Sequence, residues 1–275
     1  MRIAVLQMTS GIDPAANAAT IFDAVKAARA GGAGMLFTPE MSGLIDRDRE
    51  RAATHIMPPD KDPVLAAVRT AASLEGIWVA IGSLAVLRPD GRWANRSFVI
   101  DPEGHVAATY DKMHMFDVAL ATGESWRESA AYVPGDEVVT TAIPGLGRLG
   151  LSICYDVRFP ALYQELGSRA CDVIAIPAAF TRPTGAAHWH LLQRARAVEA
   201  SAFVVSAAQV GRHADGRETY GHSLVIDPWG DVLLDMGGEE AGLGFAELDP
   251  ARIAEVRAQL PSLANRRAMP KWDGK

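Results

Sequence analysis

The chain opens on a short apolar run, residues 3–8, and then changes period. Across residues 15–30, Ala18, Ile21, Phe22, Val25 and Ala28 recur at three- and four-residue spacing, which predicts a helix stopped by Gly31-Gly32. Residues 34–37 form a second short run that ends at Thr38-Pro39-Glu40. Asp62-Pro63 carries the cap and first-turn signature of another helix. Runs at 77–87, 97–101, 138–143, 149–154, 172–177, 203–210, 223–227, 232–234 and 244–248 read as strands, and 159–167 and 186–202 as helices.

This alternation predicts a layered α/β protein. It is not a pure strand–helix–strand repeat, because two turns join strand to strand. Asp101-Pro102-Glu103-Gly104 and Asp227-Pro228-Trp229-Gly230 both place Pro second and Gly fourth, and each lies between two strand-like runs. Hairpins imply antiparallel pairs inside a mixed sheet. One such turn in each half hints at an internal two-fold. No Pro/Gly/Ser linker divides the chain, so residues 1–275 read as a single domain with a polar, basic tail from about residue 260.

Composition narrows the function classes. A chain of 275 residues can bury roughly 75% of its unfolded surface and needs no disulfide staples. Lys and Arg number 27 against 33 Asp and Glu, a net charge of −6, which argues against nucleic acid or an anionic membrane as partner. No apolar stretch has the length of a membrane span, and the first apolar run is too short for a signal peptide. Cys154 and Cys171 make no disulfide framework. The expectation is a cytoplasmic protein.

Two motifs are set aside on context. Gly145 to Gly150 matches G-x-G-x-x-G, but Pro144 precedes it and a strand-like run follows where a dinucleotide site needs a helix start. It reads as a tight turn between strands. Asn95-Arg96-Ser97 matches a glycosylation acceptor that lacks a secretory signal. His188 and His190, with His213 and His222 farther on, could ligate a metal, but no cysteine flanks them at zinc spacing, and no metal is expected.

The chemistry-bearing candidates sit at the ends of strand-like runs. Cys154 precedes Tyr155-Asp156-Val157-Arg158 and reads either as a nucleophile at a sheet edge or as a buried structural cysteine; Cys171 fits the second reading. Glu40 reads as a general base or a solvated loop residue, and Lys112 alone is unremarkable in type. Together, a base, a cation and a nucleophile are the parts that acyl transfer through an oxyanion requires. Arg158 is a candidate grip for a substrate carboxylate, or else an ion-pair partner of Asp156.

At these residues the sequence resembles the nitrilase superfamily of carbon–nitrogen hydrolases. The carriers are Leu36-Phe37-Thr38-Pro39-Glu40, Tyr110-Asp111-Lys112-Met113-His114, and Leu151-Ser152-Ile153-Cys154-Tyr155-Asp156-Val157-Arg158-Phe159-Pro160, in the family's order. Glu128, shortly before Pro134-Gly135, matches a second glutamate that supports the lysine. The stretch from Ala179 to Trp189 is similar to the amidase branch, whose members cleave small carboxylate-bearing amides such as deaminated glutathione or 2-oxoglutaramate. An N-carbamoyl amino-acid hydrolase is the alternative within the superfamily, and a nucleotide-binding module the alternative outside it.

The resemblance implies a four-layer αββα sandwich, a homodimer or larger homo-oligomer, and neither metal nor organic cofactor. It implies catalysis by Glu40, Lys112 and Cys154 through a thioester, with Glu128 supporting Lys112 and the Tyr155 N–H binding the oxyanion. It places Arg158, Phe180 and Thr184 against the acid end of the substrate.

Overall fold

A computed structural model describes residues 1–119, 121, 123 and 125–269. In chain order the elements are β1 (Arg2–Gln7), α1 (Pro14–Ala30), β2 (Met35–Phe37), α2 (Arg49–Ala53), α3 (Pro63–Glu75), β3 (Trp78–Leu87), β4 (Trp93–Ile100), β5 (Val106–Asp111), β6 (Asp117–Ala119), β7 (Ser125–Arg127), β8 (Thr140–Ile143), β9 (Gly147–Leu151), α4 (Pro160–Ser168), β10 (Val173–Ala175), α5 (Arg182–Ala200), β11 (Phe203–Ser206), β12 (Val210–Arg212), β13 (Glu218–Tyr220), β14 (Leu224–Ile226), β15 (Val232–Asp235), β16 (Gly242–Glu247) and α6 (Pro250–Gln259).

Two six-stranded mixed sheets carry the molecule, in the orders β16-β1-β2-β3-β4-β5 and β15-β14-β11-β10-β9-β8. In each, three parallel strands are flanked by antiparallel ones. Strand alternation sorts the side chains into layers. Ile3, Val5, Met35, Phe37, Ala80 and Val99 share one core with the second sheet. Their neighbours Ala4, Leu6, Leu36, Val79, Ile81 and Phe98 pack instead on Ile21, Val25, Val64 and Val68 of α1 and α3. On the far side, Leu162 and Leu166 of α4 and Trp189 and Ala197 of α5 cover the second sheet. The result is the αββα sandwich with mixed sheets that the resemblance implied.

The internal two-fold extends to hydrogen-bond detail. At the β4–β5 turn, Asp101 Oδ1 accepts from Glu103 N (3.0 Å) and His105 N (2.7 Å). At the β14–β15 turn, Asp227 Oδ1 accepts from Trp229 N (2.9 Å) and Asp231 N (2.8 Å). In each half a crossover helix sends one arginine to the turn glycine: Arg69 Nε on α3 donates to Gly104 O, and Arg194 Nε on α5 to Gly230 O, both at 2.7 Å.

Local signals account for most boundaries. Asp13-Pro14 and Asp62-Pro63 open α1 and α3, with each aspartate accepting an N–H of the first turn; such a cap stabilises a helix by about 1 kcal/mol. Asp249-Pro250 opens α6 in the same way, a helix that apolar patterning alone did not reveal. Pro144 to Leu146 form the expected tight turn between strands, while Gly147 to Gly150 already belong to β9, with Ile143 of β8 opposite Gly147.

Several expectations are corrected. The run 149–154 stops as a strand at Leu151, because Asp156 Oδ2 takes the Ile153 N–H (2.9 Å) and Pro177 O takes that of Cys154 (2.8 Å). The run 203–210 breaks after Ser206, and Val210 starts a separate ribbon, β12–β13. The β6–β7 ribbon was not expected, since three-residue polar strands carry no period. Of the expected tail, residues 261–269 include Arg266, bonded to Gln164 O (3.0 Å) and Ser168 Oγ (2.8 Å); residues 270–275 lie outside the described residues. Among the described residues no helix is long and apolar enough to cross a membrane.

Candidate active site

Three chain segments meet where the parallel strands of both sheets end. Beyond β2, Thr38-Pro39 turns the backbone and presents Glu40, whose backbone oxygen accepts from Gln209 Nε2 (2.9 Å). Beyond β5, Lys112 is held by its own N–H on Asn95 O (2.9 Å) and by its carbonyl on Gly135 N (2.9 Å). Beyond β9, Cys154 opens a 3-10 turn with φ of 49°, a left-handed conformation that costs a non-glycine residue roughly 1–3 kcal/mol. The turn is anchored by buried Asp156, which accepts from Tyr110 Oη (2.7 Å), His114 N (3.0 Å) and Ile153 N (2.9 Å). Asp156 therefore ties the Lys112 segment to the Cys154 segment and is no partner for Arg158.

Close approach is built in with glycine. At Gly82, in the bulge of β3, a Cβ would lie 2.1 Å from Thr38 O, 2.4 Å from Pro39 O and 2.5 Å from Pro177. Only a bare backbone lets the Glu40 loop and the Pro177 loop close together.

The side chains form one buried polar row. Lys112 Nζ donates to Glu40 Oε1 (2.9 Å) and to Glu128 Oε1 (3.1 Å) and Oε2 (2.9 Å). Asn95 Nδ2 bridges the same two carboxylates, at 2.9 Å to Glu40 and 3.1 Å to Glu128. Ala179 N donates to Glu40 Oε2 (2.9 Å), and Phe116 N to Glu128 Oε2 (2.7 Å). Glu40, Lys112 and Cys154 are all buried.

These contacts set the protonation states. Burial works against the Glu40 charge, but the Lys112 cation and hydrogen bonds from Cys154, Lys112 and Asn95 hold its carboxyl below the usual range. Burial likewise works against the Lys112 charge, and Glu128 and Glu40 together keep its ammonium well above the ordinary lysine value. Burial, then the Glu40 charge, pushes the Cys154 thiol well up. The resting site is a carboxylate, an ammonium and a neutral thiol.

The carbon–nitrogen hydrolase family model matches residues 2–258. The chain belongs to that family. It is 34% identical to a deaminated glutathione amidase of Yersinia enterocolitica, with 96% of this chain and 92% of that protein aligned. It is 35% identical to the human deaminated glutathione amidase, with 96% of this chain and 82% of that protein aligned. Among solved structures it is similar to the Caenorhabditis elegans NitFhit protein (TM-score 0.89, 35% identity, 97% of this chain and 65% of that one). A Nesterenkonia amidase, captured with acrylamide added to its active-site cysteine, superposes with a TM-score of 0.79 at 28% identity, over 95% of this chain and 98% of that one.

As a carbon–nitrogen hydrolase, the protein acts on C–N bonds other than peptide bonds. Its cavity, of about 750 Å³, is walled by Glu40, Lys112, Glu128, Cys154 and Tyr155, and also by Phe180 and Thr184. Seven of the eight residues singled out from sequence thus converge. Arg158 does not: its guanidinium lies 5.3 Å from the Phe180 ring centre, 5.9 Å from that of Tyr155 and 3.3 Å from His188 Nδ1, outside the cavity wall.

Sequence reasoning missed Asn95, whose only signal was a glycosylation match, and Asp156, weighed only as an Arg158 partner. It also missed Trp126, Arg47 and Arg217 in the outer wall, which arrive on the unexpected ribbons and loops. His190, His222 and Asp235, distant in sequence, do gather on the surface; Asp235 bonds His190 Nε2 at 2.9 Å and His222 Nδ1 at 2.8 Å.

Proposed function

We propose that the protein is a cysteine amidase that works through a thioester. Cys154 Sγ attacks an amide carbonyl carbon while its proton passes to Glu40. Lys112 Nζ and the Tyr155 N–H hold the oxyanion; that N–H lies in the first turn of a 3-10 helix, where amides lack an intrahelical acceptor. As the C–N bond breaks, Glu40 gives the proton to the departing amine. Water then attacks the thioester, leaving one proton on Glu40 that returns to sulfur as the carboxylic acid departs. Glu128 keeps Lys112 charged and in place. The observation that carries this reading is the buried Lys112 ammonium bonded to both Glu40 and Glu128, in the wall of the cavity that also holds Cys154.

The substrate we infer is deaminated glutathione, cleaved to 2-oxoglutarate and cysteinylglycine. Support comes from the names of the amidases above and from a cavity large enough for a tripeptide-sized acid. Phe180 and Thr184, which line the cavity, would contact the acyl part. The test is a panel of deaminated glutathione, 2-oxoglutaramate and an N-carbamoyl amino acid, with mass detection of an acyl adduct on Cys154. Fastest turnover of the first, with the adduct absent from Cys154→Ala, is expected; preference for 2-oxoglutaramate would reassign the enzyme as an omega-amidase.

We further infer a single domain, a cytoplasmic location and a homodimer or larger assembly. Both cysteines are free, and the last strand completes the first sheet. Leu191 and Val198 on α5 and Trp229, Val232 and Leu233 of the β14–β15 hairpin are exposed, with Val198 beside Gly230 of the turn, apolar surface suited to a second copy.

A further inference from the structure

The outer wall of the cavity carries four arginines that no step of the reaction uses, Arg47, Arg49, Arg127 and Arg217, of which Arg49 donates to Arg127 O at 2.8 Å. Arg47 and Arg217 flank one indole: their Cζ atoms lie 5.7 Å and 4.8 Å from the Trp126 ring centre. Both approach the same carboxylate oxygen, with Arg217 Nε 2.8 Å and Arg47 Nε 4.0 Å from Asp215 Oδ2. Asp215 is fully buried at its side chain, and its other oxygen takes the Arg217 N–H at 3.1 Å. The neighbouring acids are already engaged, Asp46 by Arg51 at 2.6 Å and Glu218 by Arg182 at 3.5 Å.

Two cations thus share one anion. Among the described residues, the terminal nitrogens of Arg217 have no acceptor. All three residues line the cavity that also holds Cys154 and Glu40. A guanidinium fixed through Nε, with its plane against an aromatic face, keeps its outer edge available for a bidentate carboxylate.

We propose that Arg217 and Arg47, braced on Trp126, bind the terminal carboxylate of the leaving group, and so select amides whose amine half is a peptide with a free C-terminal carboxylate over those that release ammonia. The inference rests on the amidase reading above and names the half of the substrate which that reading left unassigned. One carboxylate would neutralise the surplus charge of the pair. An uncharged amide in its place would leave the pair unmatched, and a charge-assisted bidentate contact is worth about 30-fold in binding.

The experiment compares kcat/KM for deaminated glutathione with that for its C-terminal amide, in wild type, Arg217→Gln and Arg47→Gln. Wild type should prefer the acid by about 30-fold. Both variants should lose most of that preference through KM, with kcat for the C-terminal amide nearly held. Arg47 is half exposed, so its variant tests the site even if Arg217→Gln, which strips buried Asp215 of its partner, fails to fold. An unchanged preference in Arg47→Gln and in any folded Arg217 variant overturns the anchor alone. Equal losses on both compounds would place the acyl carboxylate there and overturn the leaving-group assignment. No turnover of either compound by wild type would overturn the amidase reading and this one together.

Discussion

Asn95 has no reactivity of its own, yet its amide nitrogen touches both carboxylates that hold Lys112. A carboxylate oxygen facing those acids would repel them, so Asn95→Asp should disrupt the row although it changes few atoms. The three residues proposed to react were legible in the sequence because each belongs to a short motif in a given order. Asn95 and Asp156 were not, because a polar residue that bonds other polar residues across the fold leaves no local pattern. The charges of the row have a measurable consequence. Glu40 is held below its unfolded value, so the stability it contributes is present above that value and is lost as pH falls through the folded one. Lys112 is held above its unfolded value, so its contribution is lost only as pH rises through the folded one. A kcat/KM profile should therefore be flat from about pH 5 to about pH 9. An inflection between about pH 6 and 8 would contradict the poised carboxylate and neutral thiol. Lys112→Met, which keeps most of the stem, should lower kcat by about 10²–10³, as loss of an oxyanion donor does.

At the level of elements, what could be read was whatever repeats. Alternating apolar runs, Asp-Pro helix starts and the two Asp-Pro-x-Gly turns all reappear as folded elements, and the turns do so with matched arginine clamps. What could not be read were strands too short to show a period, such as β6, β7, β12 and β13, and these bring the outer wall to the site. The point where a strand ends was also hidden. Apolar character continues through Ile153, and only the Asp156 hydrogen bonds decide that Leu151 is last. Gly82 marks a place where an element's backbone sets the chemistry. Gly82→Ala meets carbonyl oxygens that cannot rotate away, so a loss of about 1–3 kcal/mol in urea unfolding is expected, with a larger proportional loss of kcat. Gly91→Ala is the control. It has nothing within 4 Å and only a positive φ to oppose it, so kcat should stay near wild type.

Across the whole molecule, the site belongs to neither half. Glu40 and Lys112 follow strands of the first sheet and Cys154 follows a strand of the second, so the duplicated framework yields one candidate site. Sedimentation should show a dimer or larger species, and Leu191→Asp with Trp229→Asp should shift it toward monomer; an unshifted assembly would move the interface elsewhere. The most consequential pairing at this scale is that of β16 with β1, which sets Gln7 opposite Gly242. During translation β1 is made before β2, β3, β4 and β5, and its outer neighbour β16 after all of them. Until β16 is made, Ile3 to Leu6 would offer an open edge to any passing strand. Protease resistance of the first sheet should therefore appear late, in one step, when β16 emerges and covers that edge.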